Sequence, residues 1–241
     1  MKILFVENYE EMSKKAADIV KSLIILKPNS VLGLPTGDTP LGMYGELTGY
    51  YKRREIDFKD ATVFNLDEYC NLTKENSQSY AYYMKHNFYK YVNIKGKNKH
   101  IPNGTAKDYN EECKNYECLI KNKGGIDLMV LGIGTDGHIG FNEPDDFFEA
   151  KTHLVKLNRK TILANSRFFH SIDEVPDTAI SRGIRTIMQS RRLILLADGE
   201  NKADAIAKAI KGKISPKVPA SIIQLHNDAT FILEKSAAKL L

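Results

Sequence analysis

Apolar residues fall along the chain in two alternating rhythms. Short unbroken runs at Ile3 to Val6, Val31 to Leu34, Ala61 to Leu66, Ile126 to Leu131 and Leu193 to Ala197 have the length of buried strands. Between them lie stretches spaced for one helical face. Met12, Ala16, Ile19, Val20, Leu23 and Ile24 follow Asn8 and Glu11, which are placed as a capping box. Leu41 to Lys52 is helix-compatible despite Gly42, Gly45 and Gly49, and Ala203 to Ile210 resumes a helical pattern. Parallel neighbours need crossover connections, so strands alternating with helices predict an α/β fold: a Rossmann-like, mostly parallel sheet with helices on both faces. No internal repeat, low-complexity tract or linker divides residues 1–241, which read as a single domain. Lys95 to Asn103 reads as an exposed loop.

Composition narrows the class. A hydrophobic fraction of 42% and a charged fraction of 27% are those of an ordinary globule, which excludes disorder and fibrous repeats. The formal charge of +5 is spread over short groups such as Lys52-Arg53-Arg54 and Arg191-Arg192 rather than one stripe. That distribution argues against a nucleic-acid partner while favouring a small anionic substrate. Cys70, Cys113 and Cys118 form no C-x-x-C pair, against a disulfide framework or zinc ribbon and in favour of a reducing compartment. The first apolar run meets Glu7 too early for a signal-peptide core, and no stretch approaches a membrane span. The expectation is a cytoplasmic protein with no membrane partner. No interface is legible, so a homo-oligomer stays open.

Ligands of an open parallel sheet bind beyond the carboxyl ends of its strands. Four such places carry chemistry and should open onto one crevice: Pro35 to Pro40 (PTGDTP), Asp67-Glu68-Tyr69, Gly132 to Pro144 (GIGTDGHIGFNEP) and Asp198 to Lys202 (DGENK). PTGDTP offers hydroxyls and a close backbone approach ahead of a helix, a seat for phosphate, although a plain tight turn explains it as well. Lys202, in the first turn of the next helix, has the reach to join the same anion. In the glycine-rich segment, Asp136 and Glu143 bracket His138, a grouping that can fix one tautomer and shuttle protons. The same three side chains could instead ligate a metal, but they lack a known helical metal spacing. A buried structural histidine would not need Gly132, Gly134, Gly137 and Gly140 to bring the backbone close. Asp67 follows an apolar strand, so partial desolvation would raise its pKa and make it a usable base; a helix cap accounts for it equally, and Glu68 could serve as base in its place.

At these residues the chain resembles glucosamine-6-phosphate deaminases, through GLPTGDTP (Gly33 to Pro40), FNLDEY (Phe64 to Tyr69), GIGTDGHIGFNEP and ANSRFF (Ala164 to Phe169). The match spans nearly the whole chain, and FNEP after DGH separates this family from its relatives. The resemblance implies that Asp67 moves the C2 proton of the opened sugar to C1, after which ammonia leaves. It implies that His138 opens the ring, set by Asp136 and Glu143, and that Thr36, Gly37, Arg167 and Lys202 hold the phosphate. No metal or organic cofactor is implied, and the partner is a small sugar phosphate.

Two positions depart from the family pattern. Asp38 stands where a small residue is usual, and its charge would repel the phosphate unless it points away and only its backbone takes part. Asp146, His153 and Val155 occupy the place of the Ser, Arg and Lys that line an activator site in some bacterial members, so non-cooperative kinetics are expected. The nearest rival is a 6-phosphogluconolactonase, which shares the fold and a DGH segment but has no need of Asp67. A sugar-phosphate sensor is the non-enzymatic rival, but strand one at Ile3 leaves no room for a helix-turn-helix.

Overall fold

In the computed structural model, residues 1–169 and 171–241 are described, Lys160, Ala164 and Phe168 in backbone alone. They form, in chain order, β1 (Lys2–Val6), α1 (Tyr9–Leu26), β2 (Val31–Leu34), α2 (Leu41–Lys52), β3 (Thr62–Asn65), β4 (Asp67–Tyr69), α3 (Tyr80–Asn87), β5 (Lys99–His100), α4 (Tyr109–Asn122), β6 (Leu128–Leu131), β7 (His153–Lys156), α5 (Arg159–Asn165), β8 (Thr178–Ser181), α6 (Ile184–Met188), β9 (Arg192–Ala197), α7 (Ala203–Lys211) and β10 (Ala229–Glu234). At the first helix, Asn8 Oδ1 accepts from the Glu11 N–H at 2.9 Å. Glu11 reaches back to the Glu7 N–H at 2.9 Å, one residue earlier than a standard box.

Seven strands make a parallel sheet in the order β1-β10-β9-β6-β2-β3-β5. Successive side chains of a strand point to opposite faces, and the two cores follow that alternation. Leu32, Leu34, Val63, Val130, Ile194 and Ile232 face α1 and α2 in one buried cluster. Val31, Phe64, Met129, Leu131, Leu195 and Phe231 meet α4, α6 and α7 in the other. Helices therefore cover both faces, as the strand–helix alternation predicts.

The chain leaves β2 toward β3 and β5, and leaves β6 toward β9 and β10. The order thus reverses between β2 and β6, and at such a switch point the two connections diverge and open a crevice. PTGDTP follows β2 and GIGTDGH follows β6, so both line it.

Two features differ from the sequence expectation. Lys95 to Asn103 is not a wholly exposed loop: β5 pairs with β3 at Val63↔Lys99 and Phe64↔His100, and the buried Asn98 donates to Ala61 O at 3.1 Å. A strand of two residues has too few positions to show a period. The second feature is a small antiparallel sheet, β4-β8-β7, in which Asp67 lies opposite Ser181 and His153 opposite Ser181 on its other side. Its β4 pairs with a strand more than a hundred residues further along the chain, so no local pattern announces it.

Candidate functional site

His138 and Asp136 form the first chemical unit. Asp136 Oδ1 lies 2.7 Å from His138 Nδ1 and also accepts the His138 backbone N–H at 3.2 Å. Burial pushes the Asp136 carboxyl up, but the imidazole beside it outweighs burial and holds it down at about 2. An ionised carboxylate can only accept, so Nδ1 donates to it and Nε2 is left as the nitrogen that exchanges protons. The ring packs flat on Gly134: a Cβ there would stand 2.2 Å from His138 Nδ1 and Cε1. Gly132, by contrast, has nothing within 4 Å of such a Cβ, so the expectation of close backbone approach fails at that glycine.

Asp67 is the second unit. It lies in β4, not at a helix cap, and is only 7% exposed. Burial and the neighbouring Glu68 raise its carboxyl to about 7, against the opposing pull of Arg182. No hydrogen bond reaches this carboxylate among the described residues. Gly140 comes over it with φ 58°, the left-handed region open to glycine, and a Cβ there would sit 3.4 Å from Asp67 Oδ2 and 3.1 Å from Ser181 Oγ. The loop that carries His138 is therefore laid directly against the buried carboxylate. Ser181 Oγ accepts from the Phe141 N–H at 3.0 Å, and Asn142 Nδ2 donates to Arg182 O at 2.7 Å, which pin it there.

Glu68 is engaged elsewhere. Its two oxygens accept from the backbone N–H groups of Tyr69 at 2.9 Å and of Tyr80 and Ala81 at 2.8 Å each. It thus closes the start of α3, where a negative charge is favoured, and three of its roughly four acceptor sites are taken. Of the two carboxylates that the sequence leaves open as a base, both raised to about 7 by burial, Asp67 alone accepts no hydrogen bond among the described residues.

Glu143 departs from its expected place. No hydrogen bond or ion pair joins it to His138; its carboxylate accepts from Thr161 Oγ1 and, at 3.0 Å, from the Asn158 N–H. Both donors sit at the start of α5, where Asn158 caps the helix and unpaired N–H groups draw a carboxylate. Glu143 ties down the segment leading to Arg167. Nor do Asp136, His138 and Glu143 gather as metal donors: among the described residues no cluster of three or more His, Cys, Asp or Glu is placed to hold an ion.

The residues expected to hold an anion stand on three loops. Gly37 has φ 95°, and its carbonyl accepts from Tyr83 Oη at 2.5 Å. Thr36 stands half-buried beside it. Thr39 Oγ1 donates to Asp198 Oδ1 at 2.7 Å, joining the β2 turn to the loop after β9. Lys202 lies in that loop, half-buried; burial lowers its pKa, Asp198 and Asp136 oppose this and Arg167 adds to it. Lys202 thus feels the charges of all three. Asp38 does not point away: its Oδ2 accepts from Arg167 Nη2 at 2.7 Å, both residues exposed. A carboxylate at the tip of the turn finds the nearest guanidinium, the one expected to hold phosphate.

Gly140 makes the close backbone approach expected of it, whereas the sequence gives no such role to Asn142 or Ser181. Asn142 sits within FNEP, where a motif marked it; Ser181 lies in a plain run that gives no signal.

A parallel α/β sheet whose switch-point loops bring a carboxylate-paired imidazole, a buried carboxylate and the side chains of Arg167 and Lys202 to one end defines a class of protein that takes a small ligand beyond the carboxyl ends of its strands. A sequence profile described as glucosamine-6-phosphate isomerases/6-phosphogluconolactonase matches residues 7–232, and the chain belongs to that family. It is 61% identical over 241 residues to a glucosamine-6-phosphate deaminase of Clostridium acetobutylicum, covering 100% of both chains. To a protein of that name from a Thermoanaerobacter species it is 57% identical, covering 100% of this chain and 95% of that one. A solved monomeric glucosamine-6-phosphate deaminase superposes with a TM-score of 0.98 at 44% identity, covering 100% of each chain. A 6-phosphogluconolactonase of Thermotoga maritima shares the fold at a TM-score of 0.78 and 17% identity, covering 97% of this chain and 99% of that one.

Proposed function

We propose that this protein is a glucosamine-6-phosphate deaminase, converting glucosamine-6-phosphate and water to fructose-6-phosphate and ammonia. The relatives of that name match along their whole length. The observation that carries the reading is the pair of separate proton carriers, His138 on its charged Asp136 and the buried Asp67, in one crevice. Ring opening and enolisation need a proton moved at two places on the substrate, O5 with the anomeric hydroxyl and C2 with C1. Lactone hydrolysis needs no base at the second place.

In the proposed sequence His138 Nε2 takes the anomeric hydroxyl proton and returns one to the ring oxygen, with Asp136 holding the imidazole. Asp67, as carboxylate, removes the C2 proton and delivers it to C1. Water then adds at C2 as the amino group leaves as ammonia. The chemistry draws on proton transfer and water alone and calls for no cofactor. Thr36, the Gly37 backbone, Arg167 and Lys202 hold the phosphate, which must displace the Asp38 carboxylate from Arg167. Glu143 acts on this site by tethering the Arg167 segment through Thr161 and Asn158.

Ammonia release from glucosamine-6-phosphate, measured beside hydrolysis of 6-phosphogluconolactone, tests the reading. Ammonia without lactone hydrolysis is expected; hydrolysis without ammonia would reverse it. For Asp67→Asn, loss of C2 proton exchange with retained sugar-phosphate binding is expected.

A further inference from the structure

Arg182 has the largest of the fully buried side chains. It follows β8, where its backbone N–H donates to Leu66 O at 3.0 Å, one residue before Asp67. The side chain enters the core over the row Phe64–Gly33–Met129 of the parallel sheet. Its guanidinium carbon lies 5.7 Å from the Phe64 ring and 5.5 Å from that of Tyr116. Nη1 is 3.8 Å from Met129 Sδ and would be 3.3 Å from a Cβ on Gly33. A glycine at the middle of β2 leaves the room that this guanidinium uses.

Nε and Nη2 have no hydrogen-bond partner, and no carboxylate stands within 4.0 Å among the described residues. Arginine cannot shed its proton to escape burial, so the fold carries a lone internal cation at a cost. The Met129 sulfur and the faces of Phe64 and Tyr116 recover part of that cost, but no carboxylate pairs with the guanidinium among the described residues. Its remaining influence is its charge, acting through a poorly screening interior.

The ionisable groups its charge acts on are Asp67 on β4 and Glu117 on α4, with the phenols of Tyr116 on α4 and Tyr89 in the segment 89–91. Glu117 is already satisfied by the Thr152 N–H and the Thr152 and Thr186 hydroxyls. Asp67 has no donor. Around Asp67 stand Glu68 from its own strand, which opposes ionisation, the neutral phenols of Tyr69, Tyr80 on α3 and Tyr116, and the uncharged Ser181 and Gly140. Arg182 supplies the offsetting positive charge.

We propose that Arg182 is a positioning residue for Asp67, its buried guanidinium, paired to no carboxylate, keeping the Asp67 carboxylate in the anionic, proton-accepting form. The inference rests on reading Asp67 as the base. Burial and Glu68 together carry Asp67 to about 7 even with Arg182 in place, so without that cation less of the carboxylate is ionised at neutral pH.

The test is a 13C NMR titration of the Asp67 carboxyl in the full chain labelled at aspartate, the resonance assigned by its loss in Asp67→Asn. The native protein is compared with Arg182→Met, which keeps the bulk, and Arg182→Lys, which keeps the charge. In Arg182→Met the midpoint is expected to rise by about one pH unit or more. The acid limb of kcat/KM for ammonia release should rise with it, so that the rate on that limb falls roughly tenfold while the rate well above it changes little. Arg182→Lys should stay close to native. An unmoved midpoint in Arg182→Met overturns the proposal, as does an equal loss of rate at every pH with the limb in place, the mark of a packing role. Should Arg182→Met not fold, Arg182→Gln against Arg182→Lys makes the same comparison. Retained C2 exchange in Asp67→Asn would sink the base reading, whereas the NMR midpoint answers for Arg182 separately.

Discussion

Replacing Gly134 by alanine isolates the placement of the imidazole from its chemistry. The new Cβ would lie 2.2 Å from His138 Nδ1, some 1.2 Å short of the 3.4 Å at which ordinary contact begins. Gly134 is absent from the residues with positive φ, so alanine meets no backbone strain, and the conflict is with the ring alone. The ring is held on its other side by the 2.7 Å bond to Asp136, and moving it by about an ångström breaks that bond. Misplacement of a proton carrier by 1 Å costs roughly 100-fold in rate, or about 2.7 kcal/mol of barrier. Gly134→Ala is therefore expected to lower kcat about 100-fold in the ammonia assay, with KM changed little, since the phosphate group binds in other loops. Asp136→Asn removes the same orientation by another route, so the double variant should be no slower than the slower single one. A Gly134→Ala enzyme within threefold of native, or a double variant whose losses multiply, would refute the argument that this glycine exists to seat the ring.

Other outcomes follow from the same geometry. A buried carboxyl raised to about 7 burdens the fold only when ionised: the cost is absent below about pH 4, where both states are protonated, and complete above about 7. The melting temperature of the native protein relative to Asp67→Asn should therefore fall as pH rises through that window and stay level above it; a pH-independent difference would place the carboxyl elsewhere in the titration range. Asp38→Asn should free Arg167 for phosphate and lower KM by up to about fivefold with kcat nearly unchanged, the scale of an exposed ion pair; a raised KM would show that Asp38 assists binding. Substrate saturation should be hyperbolic with or without an N-acetylated sugar phosphate, if Asp146, paired to Lys217 at 2.5 Å, stands where the family resemblance puts part of an activator site. A sigmoidal curve relaxed by that compound is the contrary result.

Much of the framework was determined locally. The runs at β2 and α2 could be bounded to the residue, and β1, β3, β6, β9 and α7 to within two residues, because a buried strand needs only an unbroken apolar run and a helix only its period. The apolar run of β10, Ala229–Glu234, was equally legible in kind and went unread. Within the site, the Asp136–His138 pair spans two residues, and the motif that holds them turns back on itself, so their meeting is a property of the segment. Everything else depended on distant chain. The three-residue strand of Asp67 is polar and becomes a strand only against β8; Glu143 is turned from His138 by donors 15 and 18 residues onward. Asp38 meets Arg167 across 129 residues. Arg182 looks in sequence like one more surface charge in SRGIR. Its burial follows from a glycine on β2 and two aromatic rings on β3 and α4, brought to one place only by the packing of the sheet against its helices.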